Sequence, residues 1–177
     1  GIVVVDEAYI DFSPGHSLSP DLSRHKNLVV LQTFSKAWGM AGIRLGMAFG
    51  SPEIIGMQNK IKYPYNLNIL TQEKALEMLE NKVQMENWVA TLINERNRIS
   101  EELKKLPVVN TVFPSDANFV LVSVENATLI YNKLVEKGII VRDRSKVNLC
   151  AGCLRITIGS PEENNLLLEA LKNINLA

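Results

Sequence analysis

Two short apolar runs, Ile2-Val3-Val4-Val5 and Leu28-Val29-Val30-Leu31, restrict what this chain can fold into more than any other feature. Each run is continuous rather than alternating, so each reads as a strand of a parallel α/β sheet covered on both faces. In such sheets ligands bind outside the carboxyl ends of the strands. Those ends carry chemistry here. Asp6 closes the first run and Lys36 lies just beyond the second. If the strands are neighbours, a carboxylate and an amine reach the same crevice.

The stretch from Gln32 to Gly46 sets Lys36 among small and hydroxyl residues. Ser35 offers a hydroxyl to an anion, and Arg44 a planar fork suited to phosphate. A lysine becomes a nucleophile when burial or a cationic neighbour favours its neutral form, and Arg44 is the candidate neighbour. Taken singly, Lys36 reads more readily as a solvated loop lysine and Asp6 as a turn or capping acid. Asp6, Tyr9, Ser35, Lys36 and Arg44 together point to one site.

The segment from Ser13 to Lys26 is a polar connection, broken by Pro14, Gly15 and Pro20 and too irregular for a long helix. His16 and His25 fall in it and read as surface histidines, since neither has a second residue at metal-binding spacing. Beyond Gly39 and Gly42, residues 43–49 read as a further strand, and Ser51-Pro52-Glu53 as a capped helix start. Residues 62–68 form a loop with Tyr63 and Tyr65, which reads either as a substrate or subunit-contact loop or as an ordinary one. Apolar residues recur at helical spacing from Ile69 to Lys105, giving one or two long helices joined near Asn81.

The character of the chain changes after Pro107. Short strands are expected at 108–113, 118–123, 139–141 and 154–158. A helix is expected at 128–137, capped by Gly138, and a last helix opens on a capping box, Ser160 with Glu163. This tail reads as a small α+β domain. Arg142 is expected to end one strand and Arg155 to begin another. Alternation alone leaves Arg155 either on the solvent face or held for an anion. Cys150 and Cys153 have metal-knuckle spacing but no second pair, and read as free thiols.

With 177 residues and 46% hydrophobic composition the chain can bury a proper core, and its zero formal net charge argues against nucleic acid or an anionic membrane as principal partner. No apolar run reaches membrane-spanning length, and two cysteines make no disulfide framework, so a cytoplasmic setting is expected. Gly1 leads directly into a strand, from which we expect a piece of a longer protein whose remainder lies on the N-terminal side.

Asp6-Glu7-Ala8-Tyr9, Ser35-Lys36-Ala37-Trp38-Gly39, Gly42-Ile43-Arg44-Leu45-Gly46, Pro64-Tyr65-Asn66-Leu67-Asn68 and Cys153-Leu154-Arg155-Ile156 together resemble the fold type I, aspartate aminotransferase-like pyridoxal-phosphate enzymes. Within them the wording is similar to the histidinol-phosphate aminotransferase family. The resemblance runs through the whole chain but corresponds to the C-terminal half of such an enzyme. It implies that residues 1–82 are the C-terminal part of the large cofactor-binding α/β domain and residues 83–177 the small C-terminal domain.

The resemblance also implies pyridoxal 5′-phosphate as cofactor. Lys36 would be the amine that joins its aldehyde and later carries protons, and Asp6 would face the ring nitrogen. Tyr9 would bond the ring's phenolic oxygen, while Ser35 and Arg44 would hold the phosphate. Arg155 matches the family's binder of the substrate α-carboxylate, and Arg142 an arginine near the distal phosphate. The implied substrates are an amino acid with its 2-oxo acid and a phosphorylated amino alcohol, in a homodimer. A related aromatic aminotransferase, a threonine-phosphate decarboxylase and a non-catalytic scaffold piece are the competing readings. Because the family's N-terminal half supplies further cofactor contacts, these residues alone are expected neither to hold the cofactor tightly nor to turn over.

Overall fold

Residues 1–174 are described by the computed structural model, in which the chain divides into two compact units, Gly1–Val89 and Ala90–Ala177. Each apolar run near the start becomes a strand: β1 at Val3–Asp6 and β2 at Leu28–Thr33. They pair in parallel, with Val3 opposite Leu28 and Asp6 opposite Leu31. A third strand, β3 at Gly46–Gly50, runs antiparallel to β2 and brings Gly46 opposite Thr33. The order is β1-β2-β3, so β2 is central.

Position in that order separates two runs of the same composition. The expected cover on both faces holds for the second, where Leu28, Val29 and Val30 are 6%, 2% and 0% exposed. It fails for the first, where Val3 and Val4 are 52% and 58% exposed. β1 lies at an edge of the sheet with a neighbour on one side, whereas β2 is paired on both. The expected strand over 43–49 also starts later, because Ala41–Ile43 first makes a 3-10 turn. Two further 3-10 turns, Ile10–Phe12 and Ser19–Ser23, punctuate the polar connection.

Helix α1, Pro52–Ile61, is capped by the Ser51 hydroxyl, which accepts from the amide of Ile54. Helix α2, Ile69–Leu79, is capped in the same way by Asn68. The long periodic stretch then breaks at Glu80 and Asn81, and α3 runs from Lys82 to Leu103 across the division between the units.

In the second unit, β4 (Val109–Val112), β5 (Phe119–Val124), β6 (Arg142–Asp143) and β7 (Cys153–Thr157) form an antiparallel sheet of order β4-β5-β7-β6. The expected strand at 139–141 is displaced: the pairing residues are Arg142 and Asp143, so Arg142 opens β6 instead of closing a strand. Arg155 lies in the middle of β7, not at its start. Helices α4 (Ala127–Glu136) and α5 (Pro161–Lys172) complete the unit. Gly138 follows α4 at φ +75°, a conformation a side chain would strain, and both halves of the Ser160–Glu163 capping box are formed. One buried cluster joins Ile99 and Leu103 of α3, Val120 and Val122 of β5, Ile130 and Leu134 of α4, Leu154 and Ile156 of β7, and Leu167 and Leu171 of α5.

Candidate active site

Parallel pairing of β1 and β2 places their carboxyl ends side by side, and the residues that follow open a cleft of ≈ 610 Å³. Asp6, Ser35, Lys36 and Arg44 all line it, together with Gln32 and Thr33 of β2 and Met47 and Ala48 of β3. Four of the five residues singled out in the first unit therefore share one wall. The fifth, Tyr9, stands beside Lys36, whose Nζ is 5.1 Å from the tyrosine ring centroid, within cation–π range.

The loop that carries the amine is fixed from below. Phe34, Ala37 and Met40 are buried, and the Met40 amide donates to the Phe34 carbonyl at 3.0 Å. Gly39, at φ +67°, lets its amide turn back to the Lys36 carbonyl at 2.9 Å. Between these anchors the backbone lifts Ser35 and Lys36 toward the opening, both half-buried. Thr33 ties the loop to the next strand: its hydroxyl donates to the Leu45 carbonyl and accepts from the Ser35 amide.

Arg44 adopts the left-handed region, φ 56° and ψ 46°, uncommon for a residue with a Cβ. Its Nη1 donates to the Ala41 carbonyl at 2.8 Å, which folds the guanidinium back over the 3-10 turn and leaves its remaining donors exposed. Strain of this kind collects at ligand-binding positions. Asp6 is exposed at the strand end, where its Oδ1 accepts from the Ala8 amide at 3.0 Å. The donor set, an amine with a carboxylate, a hydroxyl and a guanidinium, fits a group bearing an aldehyde, a basic ring nitrogen and a phosphate.

In the second unit, β6 and β7 bring Arg142 and Arg155 directly opposite one another. Leu154 and Ile156 enter the core at 0% and 2% exposure, and Arg155 projects from the other face. Its guanidinium lies 5.0 Å from the Phe119 ring centroid. Its Nε is buried without a hydrogen-bond partner among the described residues, an orphaned donor that a carboxylate would satisfy. Two like charges paired across strands are unfavourable unless an anion answers them.

Other candidates separate from the chemistry. His16 and His25 are exposed, and no three metal-ligating side chains come together among the described residues. Cys150 and Cys153 are free thiols, that of Cys153 pushed up by burial and by the neighbouring Cys150. Sequence reading passed over Gln32, Thr33 and the buried Glu7. Polar residues closing an otherwise apolar strand were the available signal for the first two.

A family profile described as aminotransferase class I and II matches residues 1–171. The histidinol-phosphate aminotransferase of Parabacteroides distasonis is 61% identical over 99% of this chain and 51% of its own length. The crystal structure of the histidinol-phosphate aminotransferase from Clostridium acetobutylicum superposes with a TM-score of 0.88, at 28% identity, over 97% of this chain and 53% of that one. That of the Sinorhizobium meliloti enzyme, in complex with pyridoxal-5′-phosphate, gives a TM-score of 0.83 at 26% identity, over 97% and 48%. The chain thus spans about half the length of the curated relatives it matches.

Proposed function

Because this chain belongs to the class I and II aminotransferases, we propose that it is part of a cytoplasmic, homodimeric pyridoxal 5′-phosphate enzyme that interconverts L-histidinol phosphate and 2-oxoglutarate with imidazole-acetol phosphate and L-glutamate. The observation that carries the reading is the convergence of Asp6, Ser35, Lys36 and Arg44 on one cleft at the carboxyl ends of two parallel strands. The relatives' names support the choice of substrate.

When bound, the cofactor supplies an aldehyde to which amino groups attach and a ring that takes up the electrons left at the substrate Cα. Lys36 Nζ would be the base that removes the Cα proton. Asp6 holds a proton on the ring nitrogen through its carboxylate, which keeps the ring electron-poor. Ser35 and Arg44 donate to the phosphate, Arg44 with charge-assisted bonds. The Tyr9 hydroxyl bonds the ring oxygen. Arg155 receives the α-carboxylate of the amino donor and Arg142 the distal phosphate. The exposed tyrosines of the 62–68 loop, Tyr63 at 85% and Tyr65 at 99%, are suited to a subunit contact.

We further propose that turnover needs sequence beyond these residues, since the matched relatives are about twice as long. Steady-state kinetics on the complete protein test the substrate assignment. Histidinol phosphate should give a kcat/KM well above that of phenylalanine or tyrosine. A preference for the aromatic amino acids, or release of carbon dioxide from threonine phosphate, would replace the assignment.

A further inference from the structure

Glu7 follows Asp6 in the chain but points the other way: Asp6 opens to the cleft, and Glu7 is 6% exposed. Its backbone amide donates to the Leu31 carbonyl at 2.8 Å, extending the β1–β2 ladder by one step. Its carboxylate gathers donors from two further segments. Oε1 accepts from the Leu18 amide at 2.7 Å, and Oε2 from the Ser17 hydroxyl at 2.7 Å and the Gln32 amide nitrogen at 2.9 Å. Gln32 is itself a wall of the cleft.

A carboxylate buried among neutral donors is a costly choice, with no ion pair to Lys, Arg or His recorded for it among the described residues. Burial pushes the Glu7 carboxyl up, and the bonds from Leu18, Gln32 and Ser17 outweigh that and hold it below the usual carboxylate range. Of the three partners only the Leu18 amide is fixed as a donor, while the Ser17 hydroxyl and the Gln32 side chain can each also accept, and Ser17 does so from Gln32 Nε2 at 3.3 Å. A glutamine can keep its oxygen on the Leu18 amide, but its NH2 then faces Ser17 and Gln32, and both must reorient from donating to accepting, which rearranges the Gln32 contact.

We propose that Glu7 is a positioning residue of this site: by clamping Gln32 across the strand ends it sets where Asp6 stands relative to the loop that carries Lys36. The consequence for cofactor binding rests on the function proposed above; the clamp itself does not. A merely structural Glu7 would secure the 13–18 connection and leave the cleft unchanged.

The test uses the complete protein, without and with pyridoxal 5′-phosphate. Selectively labelled carbon signals of the Asp6 carboxyl and the Lys36 side chain are compared in wild type, Glu7→Gln and Gln32→Leu, at temperatures where each is folded by circular dichroism. Both variants should move both signals in the cofactor-free protein, and should weaken cofactor binding by roughly tenfold or more, the scale of effect expected when a binding group is displaced by a fraction of an ångström. The double variant should be no weaker than Glu7→Gln alone, because both changes break the same bond. If Glu7→Gln does not fold, Gln32→Leu, which removes the Gln32 bonds to Glu7 and Ser17 and leaves the Glu7 carboxylate its bonds from Leu18 and Ser17, decides. Unmoved Asp6 and Lys36 signals with a lowered melting temperature would overturn the proposal. Moved signals in a protein that never binds the cofactor would uphold the clamp and refute the cofactor reading.

Discussion

Asp6 ends one strand and Lys36 follows another, and they line one cleft because of a parallel ladder and a loop anchored by buried side chains. Residue-level predictions follow from what each contributes. Asp6→Asn keeps the shape of the strand end and removes the charge proposed to face the ring nitrogen. In the complete protein its kcat should fall about a hundredfold or more, with the melting temperature nearly unchanged, because Asp6 is exposed and its side chain accepts from the amide of the adjacent turn. Stopped-flow half-reactions with glutamate measure this directly. Arg155→Leu removes the orphaned donor and the charge. It should raise KM for glutamate and 2-oxoglutarate by roughly a hundredfold, as expected for loss of a charge-assisted pair, and affect kcat less.

At the scale of elements, the second unit is held by a polar joint as well as by its apolar cluster. Asn164 of α5 donates to Glu95 of α3 at 2.8 Å and also pairs in both directions with the Gly159 backbone. Glu95 in turn takes two bonds from Arg98, at 2.9 and 2.7 Å. These side chains join two helices and the turn before α5, so Asn164→Leu strands buried donors and acceptors. It should cost about 2 kcal/mol in urea unfolding, the usual scale for leaving buried polar groups unsatisfied. The same joint gives a pH dependence. The Arg98 bond, set against burial and aided by Asn164, holds the Glu95 carboxyl below its ordinary range. Its folded form therefore ionises at lower pH than its unfolded form. The stabilisation is fully present above the ordinary glutamate value of about 4.3 and is lost as acid carries the pH down through the folded value. Urea midpoints measured between neutral and acid pH should fall toward acid, and Glu95→Gln should flatten that fall.

These elements also show how far the sequence could be read. The capping box at Ser160 and the break at Asn81 were legible because each is a local choice, a hydroxyl for an orphan amide and an interruption in a helical stripe. Strand order was not. Ile2–Val5 and Leu28–Leu31 carry the same apolar signal, and only the pairing of β2 on both sides decides which is covered. Arg155 was undecided for a related reason, since alternation names two faces without saying which meets the core. Glu7 escaped notice because its partners Ser17, Leu18 and Gln32 come from separate stretches of the chain.

For the whole molecule, the two units are each internally coherent, yet the chain spans about half the length of its matched relatives. Cofactor contacts gathered from one wall of a cleft should hold it weakly. The 177-residue chain alone should therefore lose pyridoxal 5′-phosphate on dialysis, while the complete protein stays yellow. Stoichiometric retention by the shorter chain would show that the residues lining this cleft suffice.

The most direct measurement is covalent mapping of the loaded, complete protein. Borohydride reduction followed by peptide mass spectrometry should bleach the colour and place one pyridoxyl group on Lys36, with Lys36→Ala folded, colourless and unlabelled. A label on a different lysine, or full colour in Lys36→Ala, would contradict the assignment of this cleft as the cofactor site.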